Sequence, residues 1–129
     1  METRPTRTGG SWWSQRVRSF ACAGRGLWWL ITSEPHARIH AVATVLVIAA
    51  GFWFSLTRGE WCAVLGASGL VWTAEGFNTA LEALADRVAP EHHPLVGRAK
   101  DVAAGAVLAA SIFAVAIGLL VFGPRLISR

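Results

Sequence analysis

Residues 102–124 run for 23 positions without one ionisable side chain, and about 20 apolar residues suffice to cross the hydrocarbon core of a bilayer. A helix that is apolar all round must be surrounded by other helices or by lipid, so this run constrains the fold more than any other feature. A second run, residues 39–57, carries only His40 over 19 positions. Both read as membrane spans. Gly123 and Pro124 read as the stop of the last one, with Arg125 and Arg129 as anchors.

The apolar stretch between them, residues 61–74, has only 14 positions and is too short to cross alone. Continued as a helix through Glu75, Asn78, Glu82 and Asp86 to residue 88, it reaches full length, and Pro90 supplies a terminator. Thr57, Arg58, Gly59 and Glu60 are expected to form a hairpin joining it to the preceding span. Upstream, Trp13, Val17, Phe20, Gly24, Leu27 and Ile31 recur at helical spacing, with Arg18 and Arg25 on another face. That pattern predicts an amphipathic helix lying on the membrane surface.

The expectation is therefore an all-α integral membrane protein. Residues 1–10 form a cytoplasmic tail rather than a secretory signal, and 11–124 form a single membrane domain. That domain holds a surface helix at about 12–33 and spans at about 38–57, 61–88 and 98–123; residues 125–129 form a C-terminal tail. With the N-terminus inside, Arg4, Arg7, Arg16, Arg18, Arg25, Arg38, Arg87, Arg98 and Lys100 are cytoplasmic and Arg58, Arg125 and Arg129 are outside, the orientation that the positive-inside rule favours.

Composition agrees. Hydrophobic residues make up 53% against 16% charged, and the seven Trp stand mostly near the ends of apolar runs, where an indole ring straddles lipid and water. The net charge of +4 suits anionic headgroups. It does not indicate nucleic acid, because the basic residues form no stripe interleaved with stacking aromatics. Cys22 and Cys62 fall near opposite membrane faces, beyond disulfide reach, and read as small buried or interfacial thiols.

Chemistry concentrates on the middle span. At 100° per residue, Glu75, Asn78, Glu82 and Asp86 fall within an arc of roughly 80° on one face. Each charge at the bilayer centre costs roughly 2.5 to 3.5 kcal/mol on insertion scales, so such a stripe calls for a compensating partner. A divalent cation suits it, since Mg²⁺ takes one or two carboxylates and completes its shell with water and phosphate oxygens. Lys100 beside Asp101, at the start of the last helix, is placed to meet phosphate charge. The plain structural alternatives are polar contacts between helices for Glu75 and Asn78, a solvated helix end for Glu82 and Asp86, and headgroup anchoring for Arg98 and Lys100. His36 and His40 have a zinc-compatible spacing, but neither a Cys nor a third His stands near to complete a site. Gly66 and Gly69 read as close-packing positions.

The run Glu75-Gly76-Phe77-Asn78-Thr79-Ala80-Leu81-Glu82, then Asp86, Pro90-Glu91-His92-His93 and Arg98-Ala99-Lys100-Asp101, resembles the prokaryotic diacylglycerol kinase and undecaprenol kinase family. Ser19-Phe20, Arg25-Gly26, Glu34 and Arg38-Ile39-His40 extend the resemblance to about residues 19–122. It implies a homotrimer of three-span subunits in the bacterial inner membrane, with sites between subunits, that uses MgATP to phosphorylate a lipid alcohol. Undecaprenol is favoured slightly over diacylglycerol, a lean that rests on Arg38-Ile39-His40. By position, Glu34 and Glu82 are the metal carboxylates, Lys100 the phosphate contact and Glu75 the general base. Asn78, Asp86 and Asp101 match further active-site positions, and Arg25 and His93 match nucleotide-side positions.

The residues themselves agree with that allocation. Glu75 is the deepest acid, and a desolvated carboxylate is a better proton acceptor; Glu82 lies two turns nearer the cytoplasm, where nucleotide arrives. Two departures stand out: His92 where several relatives have an aromatic, and the lean segment Cys22-Ala23-Gly24. Two other readings are a non-catalytic helical bundle, acting as a cation path or lipid-binding scaffold, and a degenerate member without nucleotide turnover.

Overall fold

The computed structural model describes residues 11–89 and 93–127. The expected N-terminal tail, Pro90, Glu91 and His92 lie outside them. Four helices account for nearly all of the described chain: α1 (Trp12–Ser33), α2 (Pro35–Trp53), α3 (Arg58–Val88) and α4 (Pro94–Ile127). Of these, α2 and α4 are long and apolar enough to cross a membrane.

Glu34 separates α1 from α2. It has an extended backbone, and Pro35 occupies the first turn of α2, where its missing N–H leaves no helical hydrogen bond unmade. The carbonyls at the end of α1 are closed from outside the helix: the Arg38 guanidinium donates to the Ile31 oxygen at 3.2 Å and also to the Thr32 oxygen. Arg38 thus braces the corner between the two helices. Along α1, Leu30 is buried, whereas Trp13, Val17, Phe20 and Leu27 face outward.

Helix α3 begins earlier than the expected hairpin allows. Thr57 caps it, accepting from the Glu60 N–H at 3.4 Å, while Glu60 Oε2 accepts from the Thr57 N–H and hydroxyl, each at 2.8 Å. Arg58, Gly59 and Glu60 are therefore its first turn, and residues 54–57 make the connection. Ser55 carries a φ of 51° in that tight turn. Arg125 adds a third donor to Glu60 Oε2, at 2.9 Å. Arg125, then the backbone N–H and hydroxyl of Thr57, lower the Glu60 carboxyl from 4.5 to about 2.

Helix α4 does not stop at Gly123 and Pro124 but continues to Ile127. Proline in a helix interior removes one backbone donor. Here the Arg125 side chain donates to the Val121 oxygen at 2.6 Å and simultaneously grips Glu60, holding the last turn in place. Residues 125–127 are thus helical rather than tail.

Helices α3 and α4 share the most extensive contact, while α2 lies against α3 and α1 touches both α2 and α3. Leu56, Val64 and Val121 form the buried cluster at the α2–α3 loop end, backed by Trp61, Phe54 and Phe122. Gly51 is required there, because a Cβ at that position would come 2.5 Å from the Trp61 ring. Gly66 and Gly69 meet nothing within 4 Å in the single chain. Cys22 and Cys62 are both exposed rather than buried.

Few apolar side chains are buried, whereas Leu46, Phe52, Phe77, Phe113 and Leu120, among many others, are more than half exposed. Apolar surface on that scale is stable only against other apolar matter.

Candidate active site on α3

One face of α3 is turned inward from Val64 to Thr79: Val64, Val71, Glu75 and Thr79 are its buried residues. The first two are what a packed helix should bury, and the last two are not. Glu75 is 4% exposed and Thr79 is 5% exposed. Leu30 of α1 lies over this region, 3.9 Å from where a Cβ on Gly76 would stand.

One turn along, Asn78 Nδ2 donates to Glu82 Oε1 at 3.3 Å, and Asn78 Oδ1 is buried without a hydrogen-bond partner. Leaving a buried acceptor unsatisfied costs about 1 to 3 kcal/mol, and native proteins rarely tolerate it without a reason. Among the described residues, no hydrogen bond or ion pair engages the Glu75 carboxylate. At the end of the stripe, Lys100 Nζ of α4 binds Asp86 Oδ1 at 2.8 Å, with Glu82 near enough to add to the field at the lysine. This pair ties α3 to α4 across the connection between them. The Asp86 side chain is 70% exposed, so the pair contributes little to stability.

The structure therefore brings together Glu75, Asn78 and Glu82 on one helix and joins Asp86 to Lys100. Asp101 is exposed, next to Lys100. Glu34 is half-buried at the corner between α1 and α2, its carboxylate in no hydrogen bond or ion pair among the described residues. Arg25 is exposed on α1 and donates to Cys22 Sγ at 3.1 Å. His93 precedes α4, its Nδ1 accepting from the Leu95 N–H at 3.3 Å in a cap-like contact. No group of three or more His, Cys, Asp or Glu poised to hold a metal ion occurs among the described residues. Mg²⁺ needs only one or two protein carboxylates when phosphate and water complete its shell. The free Asn78 oxygen and the neighbouring Glu82 carboxylate are hard oxygen donors suited to such an ion or its waters.

Two features went unread in the sequence. Thr79 stands four residues after Glu75, so helical spacing alone places it on the same buried face. Trp72 Nε1 donates to Thr44 Oγ1 at 3.0 Å, fixing α3 to α2 one turn before Glu75; no local pattern marks that contact.

The model of the prokaryotic diacylglycerol kinase family matches residues 21–122, which include every residue of this stripe. The chain belongs to the prokaryotic diacylglycerol kinase family. It is 39% identical over 109 residues to the undecaprenol kinase of Bacillus subtilis, covering 84% of this chain and 89% of that protein. The diacylglycerol kinase of Synechocystis is 38% identical over 85% of this chain and 63% of its own length. That of Escherichia coli K12 is 32% identical over 77% of this chain and 81% of its own. Membership makes this chain a lipid kinase of a prokaryotic membrane family and speaks against the non-catalytic bundle.

Proposed function

We propose that the protein transfers the γ-phosphoryl group of ATP to the hydroxyl of a membrane lipid, with undecaprenol favoured over diacylglycerol, in the bacterial inner membrane. Three spans, formed by α2, α3 and α4, cross the bilayer with the N-terminus and α1 on the cytoplasmic side, and three subunits assemble into a homotrimer. The buried Glu75 beside the unsatisfied Asn78 oxygen carries this reading. A carboxylate and a vacant acceptor held together inside an apolar bundle make structural sense once a polar ligand meets them.

Phosphoryl transfer asks a protein mainly for positioning and charge neutralisation. Glu75 accepts the proton of the lipid hydroxyl as its oxygen attacks the γ-phosphorus. A new P–O bond forms, the bond to the bridging oxygen breaks, and ADP leaves. Asn78 orients Glu82, and Glu34 and Glu82 are the carboxylates suited to Mg²⁺, which neutralises the charge of the β- and γ-phosphates when bound. Lys100 contacts the phosphates and is steered by Asp86 until nucleotide arrives. Asp101, Arg25 and His93 lie on the nucleotide side.

Support for the prenol acceptor is the relative named undecaprenol kinase, matched over nearly its full length, together with Arg38-Ile39-His40 at the start of α2. The test is to offer each lipid separately, with MgATP, to the purified protein in detergent. Faster phosphorylation of undecaprenol is expected, and a clear preference for diacylglycerol reverses the choice of acceptor. Absence of saturable MgATP binding would instead assign a degenerate member of the family.

A further inference from the structure

The extended backbone of Glu34 breaks the chain between α1 and α2, and the break deprives α1 of its closing hydrogen bonds. The last carbonyls of a helix have no partner within it. A continuing helix would offer the N–H groups of residues 35 and 36 to Ile31 and Thr32, but residue 35 is proline and has none. The side chain of Arg38 supplies both bonds. Its Nε donates to the Ile31 oxygen at 3.2 Å and its Nη2 to the Thr32 oxygen, while the Glu34 N–H closes the Leu30 oxygen at 3.0 Å. A planar guanidinium suits two adjacent acceptors, and its charge suits the negative end of a helix.

That engagement leaves the Glu34 carboxylate open. Glu34 and Arg38 stand four apart, the spacing at which opposite charges pair along a helix. Glu34 is also the N-cap of α2, a position from which a side-chain oxygen commonly accepts from the next turn. Neither contact forms: Glu34 makes no side-chain cap, and Arg38 is turned to α1. Among the described residues, the ion pairs are those of Asp86 with Lys100 and Glu60 with Arg125. Ala37, in the first turn of α2, is fully buried, and Leu30, across the break, is buried over α3 near Gly76. The corner thus fixes both the position of the Glu34 carboxylate and the way α1 covers the neighbour of Glu75.

We infer that Arg38 is a positioning residue: bound to the α1 carbonyls instead of to Glu34, it holds the corner and keeps the Glu34 carboxylate free for the Mg²⁺ of the nucleotide. The inference rests on the kinase reading, in which Glu34 is a metal carboxylate, and adds a residue that acts through Glu34 without touching the metal.

The test is calorimetric binding of the β,γ-methylene analogue of ATP, which cannot pass on its phosphoryl group, to the purified full chain in detergent, with Mg²⁺ and with EDTA. Arg38→Met should weaken binding about tenfold in Mg²⁺, the scale of losing a group that orients a metal ligand, and leave it unchanged in EDTA. In a Glu34→Gln background the same substitution should weaken it no further, because the two residues act as one unit. Arg38→Lys keeps the charge without the planar fork and should lose about threefold; should Arg38→Met not assemble, this variant carries the same comparisons. Amide exchange over residues 30–36 should quicken about tenfold in Arg38→Met as the corner opens locally. In turnover, KM for MgATP should rise about tenfold with kcat within about twofold. Arg58→Met, exposed at the first turn of α3, should change none of these. A loss that persists in EDTA would overturn the inference, because the arginine would then meet phosphate itself. An additive loss in the Glu34→Gln background would also overturn it, as would tighter Mg²⁺-dependent binding in Arg38→Met, the sign of a charge that opposes the metal. Faster exchange with unaltered binding would leave Arg38 a structural brace and overturn it too. The expected binding pattern in a protein that phosphorylates no lipid would uphold the positioning role and remove the kinase reading.

Discussion

The first turn and the second half of α3 carry acids that the fold treats in opposite ways. At the first turn, one Glu60 oxygen receives Arg125 and both donors of Thr57, so its charge is fully answered from within the chain. Fifteen residues further on, Glu75 is buried with no such answer, and Asn78 keeps a buried oxygen unsatisfied. A charge closed by its own neighbours builds structure, and a charge left open is available to a ligand. The difference separates a latch from a site on a single helix.

The contrast breaks most sharply by substitution at the open end. Glu82→Gln is expected to lower phosphoryl transfer by at least about a thousandfold while the protein stays assembled, because it removes a carboxylate proposed to hold Mg²⁺ with little change in shape. Activity assays beside size-exclusion chromatography check both halves. Retained turnover would place Glu82 outside the site. Lys100→Met should cost less, about a hundredfold in kcat/KM for MgATP, in the range found when one stabilising donor is lost.

At the closed end the expected effects fall on stability. Gly51→Val drives a side chain into the Trp61 ring, and overpacking of this kind costs about 1 to 3 kcal/mol; chemical denaturation measures it. Arg125→Met should lower the thermal midpoint by a few degrees with kcat unchanged, since it opens the latch far from the acid stripe. The smallest effect is one of pH. The folded Glu60 carboxyl is lowered to about 2 from 4.5, so its contribution is complete above pH 4.5 and is lost as pH falls from there towards 2. Thermal midpoints should decline across that window in the unaltered protein, and less so in Arg125→Met.

The acid stripe was legible because helical periodicity is a local property: Glu75, Asn78, Glu82 and Asp86 share a face by spacing alone. The α2–α3 connection was misread although its signal was present. Thr57 with Glu60 three residues on is a capping box, which marks a helix start rather than a hairpin. Other features depend on contacts that spacing does not encode. Arg125 meets Glu60 from 65 residues away, one residue after Pro124 in a helix that continues to Ile127. Arg38 reaches back to close α1, and Lys100 chooses Asp86 across the connection. Spacing along the chain does not pair these side chains, because the pairing is set by how whole helices dock.

The central claim, that the open end of α3 performs phosphoryl transfer to a lipid hydroxyl, is tested most directly by incubating the purified protein with γ-labelled ATP, Mg²⁺ and a total bacterial lipid extract and identifying the labelled product. The account predicts a labelled lipid phosphate that disappears in Glu82→Gln and persists in Arg125→Met. Label that never enters the lipid phase, from protein shown to be folded, would contradict it.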